Sequence, residues 1–243
     1  MFYYYGVDWT YIVLVLPALL LSMIASAKVN STFKKYSRIQ NRRGLTGAEA
    51  AQRVLAANGV YGVRIERISG NLTDHYDPRS NVIRLSDNVY GAATPAAVGV
   101  AAHEAGHAVQ YAQNYKPIKL RAAIVNITNF GSQLSMPLII IGILLMGIRS
   151  LSAYSDIFYY IAVAGVLCYG LCVVFQLVTL PVEFNASRRA IQTIEQTDLL
   201  ADDERRGARK VLTAAAMTYV AALAMSITQF ARLLLIVRSN KDD

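Results

Sequence analysis

The chain has 243 residues, of which 54% are apolar and only 16% charged. That balance is too apolar for a soluble domain, and it excludes disordered, collagen-like and disulfide-scaffold classes. The net charge of +8 comes from 24 Lys and Arg against 16 Asp and Glu, so the placement of the basic residues decides what they mean. Cys168 and Cys172 stand at i, i+4 inside an apolar run and read as small side chains on one helix face, not as a disulfide framework.

The first uncharged run, residues 9–27, follows an aromatic cluster of Phe2, Tyr3, Tyr4, Tyr5 and Trp9, the composition of a bilayer surface, and is expected to be a transmembrane helix. Its end, Ala25-Ser26-Ala27, also resembles a signal-peptidase site, but the leader carries Asp8 and lacks the Lys or Arg of a signal peptide. Residues 28–121 form the longest non-membrane segment. In it Thr46 and Glu49 make a capping-box pattern for a helix that Asn58-Gly59 ends. From Gly62 to Ser86 the apolar period changes and turn residues recur, which predicts a small antiparallel sheet. A second helix is predicted from Thr94-Pro95 to about Gln113.

Residues 122–148 and 157–182 are the next two apolar runs, separated by a short connector that suits a helical hairpin. Pro181 is expected to restart the helix at the membrane edge, opening a further helical segment over residues 183–210. Residues 211–237 then either cross the membrane as a fourth helix or pack at its surface. Lys28, Lys34, Lys35, Arg38, Arg42 and Arg43 follow the first run, Lys116, Lys119 and Arg121 precede the second, and Arg188 and Arg189 follow the third, whereas the hairpin tip holds only Arg149. The excess of basic residues on one side predicts a multi-pass plasma-membrane protein with its N-terminus outside and residues 28–121 in the cytoplasm. Topology and anionic lipid therefore account for the charge, and no nucleic-acid fingerprint is present.

The second helix of the non-membrane segment contains His103-Glu104-Ala105-Gly106-His107. Residues at i and i+4 share a helix face, so both imidazoles reach one ion, and Glu104 emerges beside it, where it can take a proton from zinc-bound water. Zinc suits such a site because it accepts imidazole and carboxylate and keeps an open position for water. A catalytic zinc needs a third protein ligand. Glu183 is the downstream candidate, the alternative being a solvated carboxylate at the end of a span. His75, in Thr73-Asp74-His75-Tyr76-Asp77-Pro78, is either a third ligand, a hydrogen-bond donor to the reacting group, or a turn residue. Extended substrate would pair with an edge strand around Val82 to Leu85.

His103-Glu104-Ala105-Gly106-His107 together with Asp74-His75-Tyr76-Asp77-Pro78 and Pro181-Val182-Glu183-Phe184-Asn185-Ala186-Ser187-Arg188-Arg189 resembles the YugP-type zinc-dependent membrane peptidases. More distantly it is similar to the HtpX and CAAX prenyl protease gluzincins. The resemblance implies that His103, His107 and Glu183 bind zinc and that Glu104 is the general base. Ser187 departs from the wider pattern, standing where those proteases have an Asp that steadies a ligand histidine. The expected fold is an α+β membrane protein with three to four transmembrane helices and a small cytoplasmic gluzincin-like unit between the first and second. The expected activity is a zinc endopeptidase acting on peptide or membrane-protein substrates. A scaffold with a structural zinc, or a site-2-type intramembrane protease, are the alternatives. A base beside the motif argues against the first, and the absence of Leu-Asp-Gly in the third run argues against the second.

Overall fold

Long helices dominate the computed structural model, which describes residues 3–4 and 7–242; Phe2 and Tyr5 of the aromatic cluster lie outside the described residues. Strands β1 (Tyr3–Tyr4) and β2 (Val7–Asp8) pair antiparallel before a π-helical turn at Tyr11–Val15 leads into α1, Leu16–Tyr36. Then come α2 (Gly47–Ala57), β3 (Arg64–Ile68), β4 (His75–Asp77), β5 (Val82–Ser86), α3 (Asp87–Tyr90) and α4 (Pro95–Ala112). The rest is α5 (Lys116–Met146), a 3-10 turn at Arg149–Tyr154, α6 (Ser155–Gln196) and α7 (Asp202–Asp242). Among the described residues four helical stretches are long and apolar enough to cross a membrane, those of α1, α5, α6 and α7. The protein is thus mostly helical, with one three-stranded sheet and the composition of a membrane protein.

The contacts divide the chain into two units. One comprises Met1–Ile24, Leu120–Thr179 and Tyr219–Asp243, the other Ala25–Lys119 and Leu180–Thr218. In the first, α5 and α6 approach through glycine: a Cβ on Gly142 would meet the Phe158 carbonyl oxygen at 2.7 Å, and one on Gly165 would meet the Ser135 carbonyl oxygen at 2.7 Å. Small residues of this kind let helices associate where no hydrophobic effect separates them from lipid. In the same unit Arg232 of α7 pairs with Asp8 at 2.5 Å and lies over the Tyr11 ring, while Lys241 sits 3.7 Å from Asp156.

The second unit has a conventional core. Thr46 caps α2 by accepting from the Glu49 amide while Glu49 accepts from the Thr46 amide at 2.9 Å, the reciprocal box the sequence signalled. Thr94 caps α4 in the same position, accepting from the Ala97 amide, and Pro95 fills the first turn where no amide partner is needed. Ala96, Ala97, Ala101, Ala102 and Ala105 of α4 are fully buried together with Val54, Ile83 and Leu85. An alanine face lets neighbouring backbones come close, so α4 serves as the spine of this unit.

Two expectations are corrected here. The sheet is mixed, not antiparallel: its order is β3-β5-β4, with β3 parallel and β4 antiparallel to β5. Four of the five residues of β5 are buried, and a strand that apolar needs neighbours on both sides, so Val82–Leu85 is the centre and the short, more polar β4 takes the edge. Pro181 does not restart a helix, because α6 runs through it without a break from Ser155 to Gln196. Proline removes one helical hydrogen bond, and a long helix packed on its neighbours absorbs that loss.

Candidate metal centre

Within the second unit, α4 carries His103 and His107 on one face and α6 carries Glu183 opposite them. His103 Nε2 lies 3.2 Å and His107 Nε2 3.5 Å from the same oxygen, Glu183 Oε2. The two rings meet nearly edge to face, at 84°, with centroids 4.7 Å apart. One ligand atom from each of the three residues lies within 4.8 Å of the others, so the group could hold a metal ion. Two imidazoles and a carboxylate are a donor set that fits zinc.

The helices can come this close because of Gly106. A Cβ there would stand 2.8 Å from the Ala186 carbonyl oxygen and 3.4 Å from its Cα. The glycine inside the histidine motif therefore sets the separation between the histidines and Glu183.

Glu104 is 9% exposed and beside the histidines in sequence, yet it is not one of the three converging groups. Its Oε2 accepts a 3.0 Å hydrogen bond from the Tyr76 backbone N–H of edge strand β4. One residue away, the exposed His75 ring uses Nδ1 to donate to the Thr73 carbonyl at 2.9 Å, and His75 stands outside the three-residue group. Asp74 anchors the start of β4 by accepting from the Ser86 N–H at 2.7 Å. Burial pushes the Asp74 carboxyl above its usual range, against the opposing effect of the Ser86 hydrogen bonds. Asp77, at the other end of the strand, is held below the usual range by hydrogen bonds from the Ser80 hydroxyl and the Arg79 amide.

Each histidine has a support behind it. Ser187 Oγ lies 3.0 Å from His103 Nδ1, so the residue that departs from the wider pattern does face the imidazole, as a neutral group. His107 Nδ1 lies 3.0 Å from Gln110 Oε1, and Gln110 is fully buried. Gln110 stands three residues after His107, a spacing too common in helices to mark it from sequence. Burial opposes a charge on His107, but the Glu183 hydrogen bond and the negative charge of Glu104 outweigh it and raise its pKa above the ordinary value.

Comparison with known proteins supplies the rest. Residues 11–238 match the family described as "putative neutral zinc metallopeptidase". The chain belongs to this zinc metallopeptidase family. It is also 42% identical over 233 residues to the "putative membrane protease YugP" of Bacillus subtilis (strain 168), an alignment covering 96% of this chain and 99% of that one. No solved structure matches. As a family member the metallopeptidase takes zinc as its cofactor, and the His103, His107 and Glu183 group is a set of side chains able to bind it. A peptide is the substrate class that goes with a peptidase, and lipid is the surroundings that go with four apolar spans.

Proposed function

We propose that this metallopeptidase is a membrane-anchored zinc endopeptidase that cleaves peptide bonds at the cytoplasmic membrane face, with His103, His107 and Glu183 as ligands and Glu104 as general base. The observation that carries the reading is the convergence of both histidine Nε2 atoms on one Glu183 oxygen, with a buried carboxylate, Glu104, on the residue next to His103. When bound, the metal supplies Lewis-acid polarisation of the scissile carbonyl and lowers the pKa of water.

The protein groups do the remainder. Glu104 takes the proton of the attacking water and passes it to the departing amine, a transfer that needs a carboxylate at a fixed position. The Tyr76 N–H provides that fixing on one oxygen and leaves the other free of this bond. Edge strand β4, rather than Val82–Leu85, offers main-chain groups along which an extended peptide can lie. His75, at the start of that strand and exposed, faces solvent where it can meet bound substrate and donate to the developing charge.

The decisive test is Glu104→Gln in the purified protein. It is expected to keep zinc and to lose on the order of a hundredfold or more in peptidase turnover; near-normal turnover would refute the mechanism. Orientation is tested separately. Asp8 pairs with Arg232, and Asp156 with Lys241, which supports a common side for the N-terminus, the hairpin tip and the C-terminal end of α7. The basic residues around residues 28–121 support placing that common side at the exterior. Cysteines placed at Asp8 or Ser152 should react with an impermeant thiol reagent on intact cells, and one at Ser80 should not; labelling at Ser80 inverts the topology.

A further inference from the structure

Behind His107 runs a chain of side-chain amides whose direction is fixed at both ends. The Val182 backbone carbonyl can only accept a hydrogen bond, so the Gln110 atom 2.8 Å from it must be the donating Nε2. The same Nε2 donates to Asn185 Oδ1 at 2.9 Å. Asn185 Oδ1 also receives Arg189 Nε at 2.7 Å, and a guanidinium can only donate, so the Asn185 amide cannot be turned round either. Arg189 is in turn held by Gln113 Oε1 through Nη1, at 2.5 Å.

One consequence is forced. With its nitrogen committed to Val182 and Asn185, Gln110 presents only Oε1 to His107 Nδ1, 3.0 Å away. An amide oxygen cannot donate, so Nδ1 must carry the hydrogen, and a neutral His107 then has its lone pair at Nε2, the atom facing Glu183. Ser187 imposes no such choice on His103, because a hydroxyl both donates and accepts.

We infer that Gln110 is a positioning residue that locks His107 in the tautomer whose Nε2 can take a metal ion, with Asn185 and Arg189 fixing the sense of the lock. The inference rests on the zinc-peptidase reading, and it gives the Pro181 to Arg189 stretch a second duty beside supplying Glu183. Both supports of the histidines are neutral, so neither imidazole is given the negative character that a carboxylate behind it would confer.

The test measures the zinc dissociation constant by competition with a chromophoric chelator on the full-length protein in detergent. Gln110→Met fills similar volume without an acceptor, and should weaken zinc binding about ten- to a hundredfold. Gln110→Glu restores an acceptor to Nδ1 although it places an acid opposite the Val182 carbonyl, and should bind zinc more tightly than Gln110→Met. Were Gln110 only filling space, methionine would be the milder change and the order would reverse. A Gln110→Met constant within twofold of the parent, or tighter than that of Gln110→Glu, overturns the inference. Should Gln110→Met fail to fold, the ring-nitrogen NMR shifts of the metal-free parent labelled with 15N-histidine serve instead: above the His107 pKa the neutral ring should carry its hydrogen on Nδ1, and a hydrogen on Nε2 is fatal. A parent protein that binds no zinc refutes the peptidase reading itself, and so the two failures are distinct.

Discussion

The two units of the chain obey opposite rules of burial. In the unit formed by Ala25–Lys119 and Leu180–Thr218, fully buried Val54, Ile83, Leu85, Ile194 and Leu200 form a core, and buried polar groups such as Glu183 and Gln110 sit among partners. In the other unit large apolar side chains point outward: Ile127, Phe130, Leu144, Tyr160 and Leu167 are each more than 60% exposed. Water would penalise such a surface and hydrocarbon does not, so the same residue types do opposite work. The lesson is that chemistry needing exact polar accounting is kept where a core can enforce it, while the apolar unit is free to be simple.

The largest effect that would sharpen this contrast is loss of Glu183. Glu183→Ala removes a 1% exposed carboxylate on which both histidines converge, and should release most of the zinc and with it the activity, as metal analysis of the purified variant would show. His75→Ala should keep the metal and lower turnover. The reverse pattern would transfer the ligand role to His75.

A matched pair of surface charges tests the contrast directly. Leu167→Asp, at a position 65% exposed in α6, should cost about 3 kcal/mol on insertion-based scales and reduce the yield of membrane-integrated protein. Tyr61→Asp, at an even more exposed position of 80% in the other unit, should change stability by no more than about 0.5 kcal/mol. Equal tolerance at both positions would mean that the exposed apolar surface of α6 does not face lipid.

A smaller loss is expected from Gly106→Ala. The added methyl meets backbone, not a movable side-chain end, so α4 and α6 must part. Overpacking of this kind costs roughly 1–3 kcal/mol, and the thermal midpoint of the metal-free protein should fall together with zinc affinity. A stability gain, as alanine's higher helix propensity alone would give, would show that the approach of the two helices is not tight.

How much of this was legible in the sequence depended on range. The helix of His103 and His107 and its N-terminal cap were readable because each signal is complete within a few residues: Thr94 with Pro95, and two histidines at i, i+4. Glu183 was a candidate from its place just after the third apolar run, and resemblance strengthened it, since a single glutamate there also reads as a solvated carboxylate at the end of a span. Gln110 was not legible at all, because its meaning comes from Val182 and Asn185, 72 and 75 residues onward. Strand order failed for the same reason: alternation marks a strand but says nothing of which strand lies in the middle. Pro181 misled because the local rule against proline in helices was overridden by the packing of a helix 42 residues long.

His103 and Glu183 are 80 residues apart, and that interval has a consequence in time. At about 5–20 residues per second of synthesis, a ribosome that has finished the histidine motif needs on the order of ten seconds to reach the glutamate, and in that interval it makes the apolar residues of α5 and most of α6. On the proposed ligand set a nascent chain therefore carries the base and two imidazoles but no finished metal site until its hairpin has been made. The enzyme would be born inactive and become competent only as its membrane segments are completed, with the order of the chain doing what a removable inhibitory segment does in other proteases.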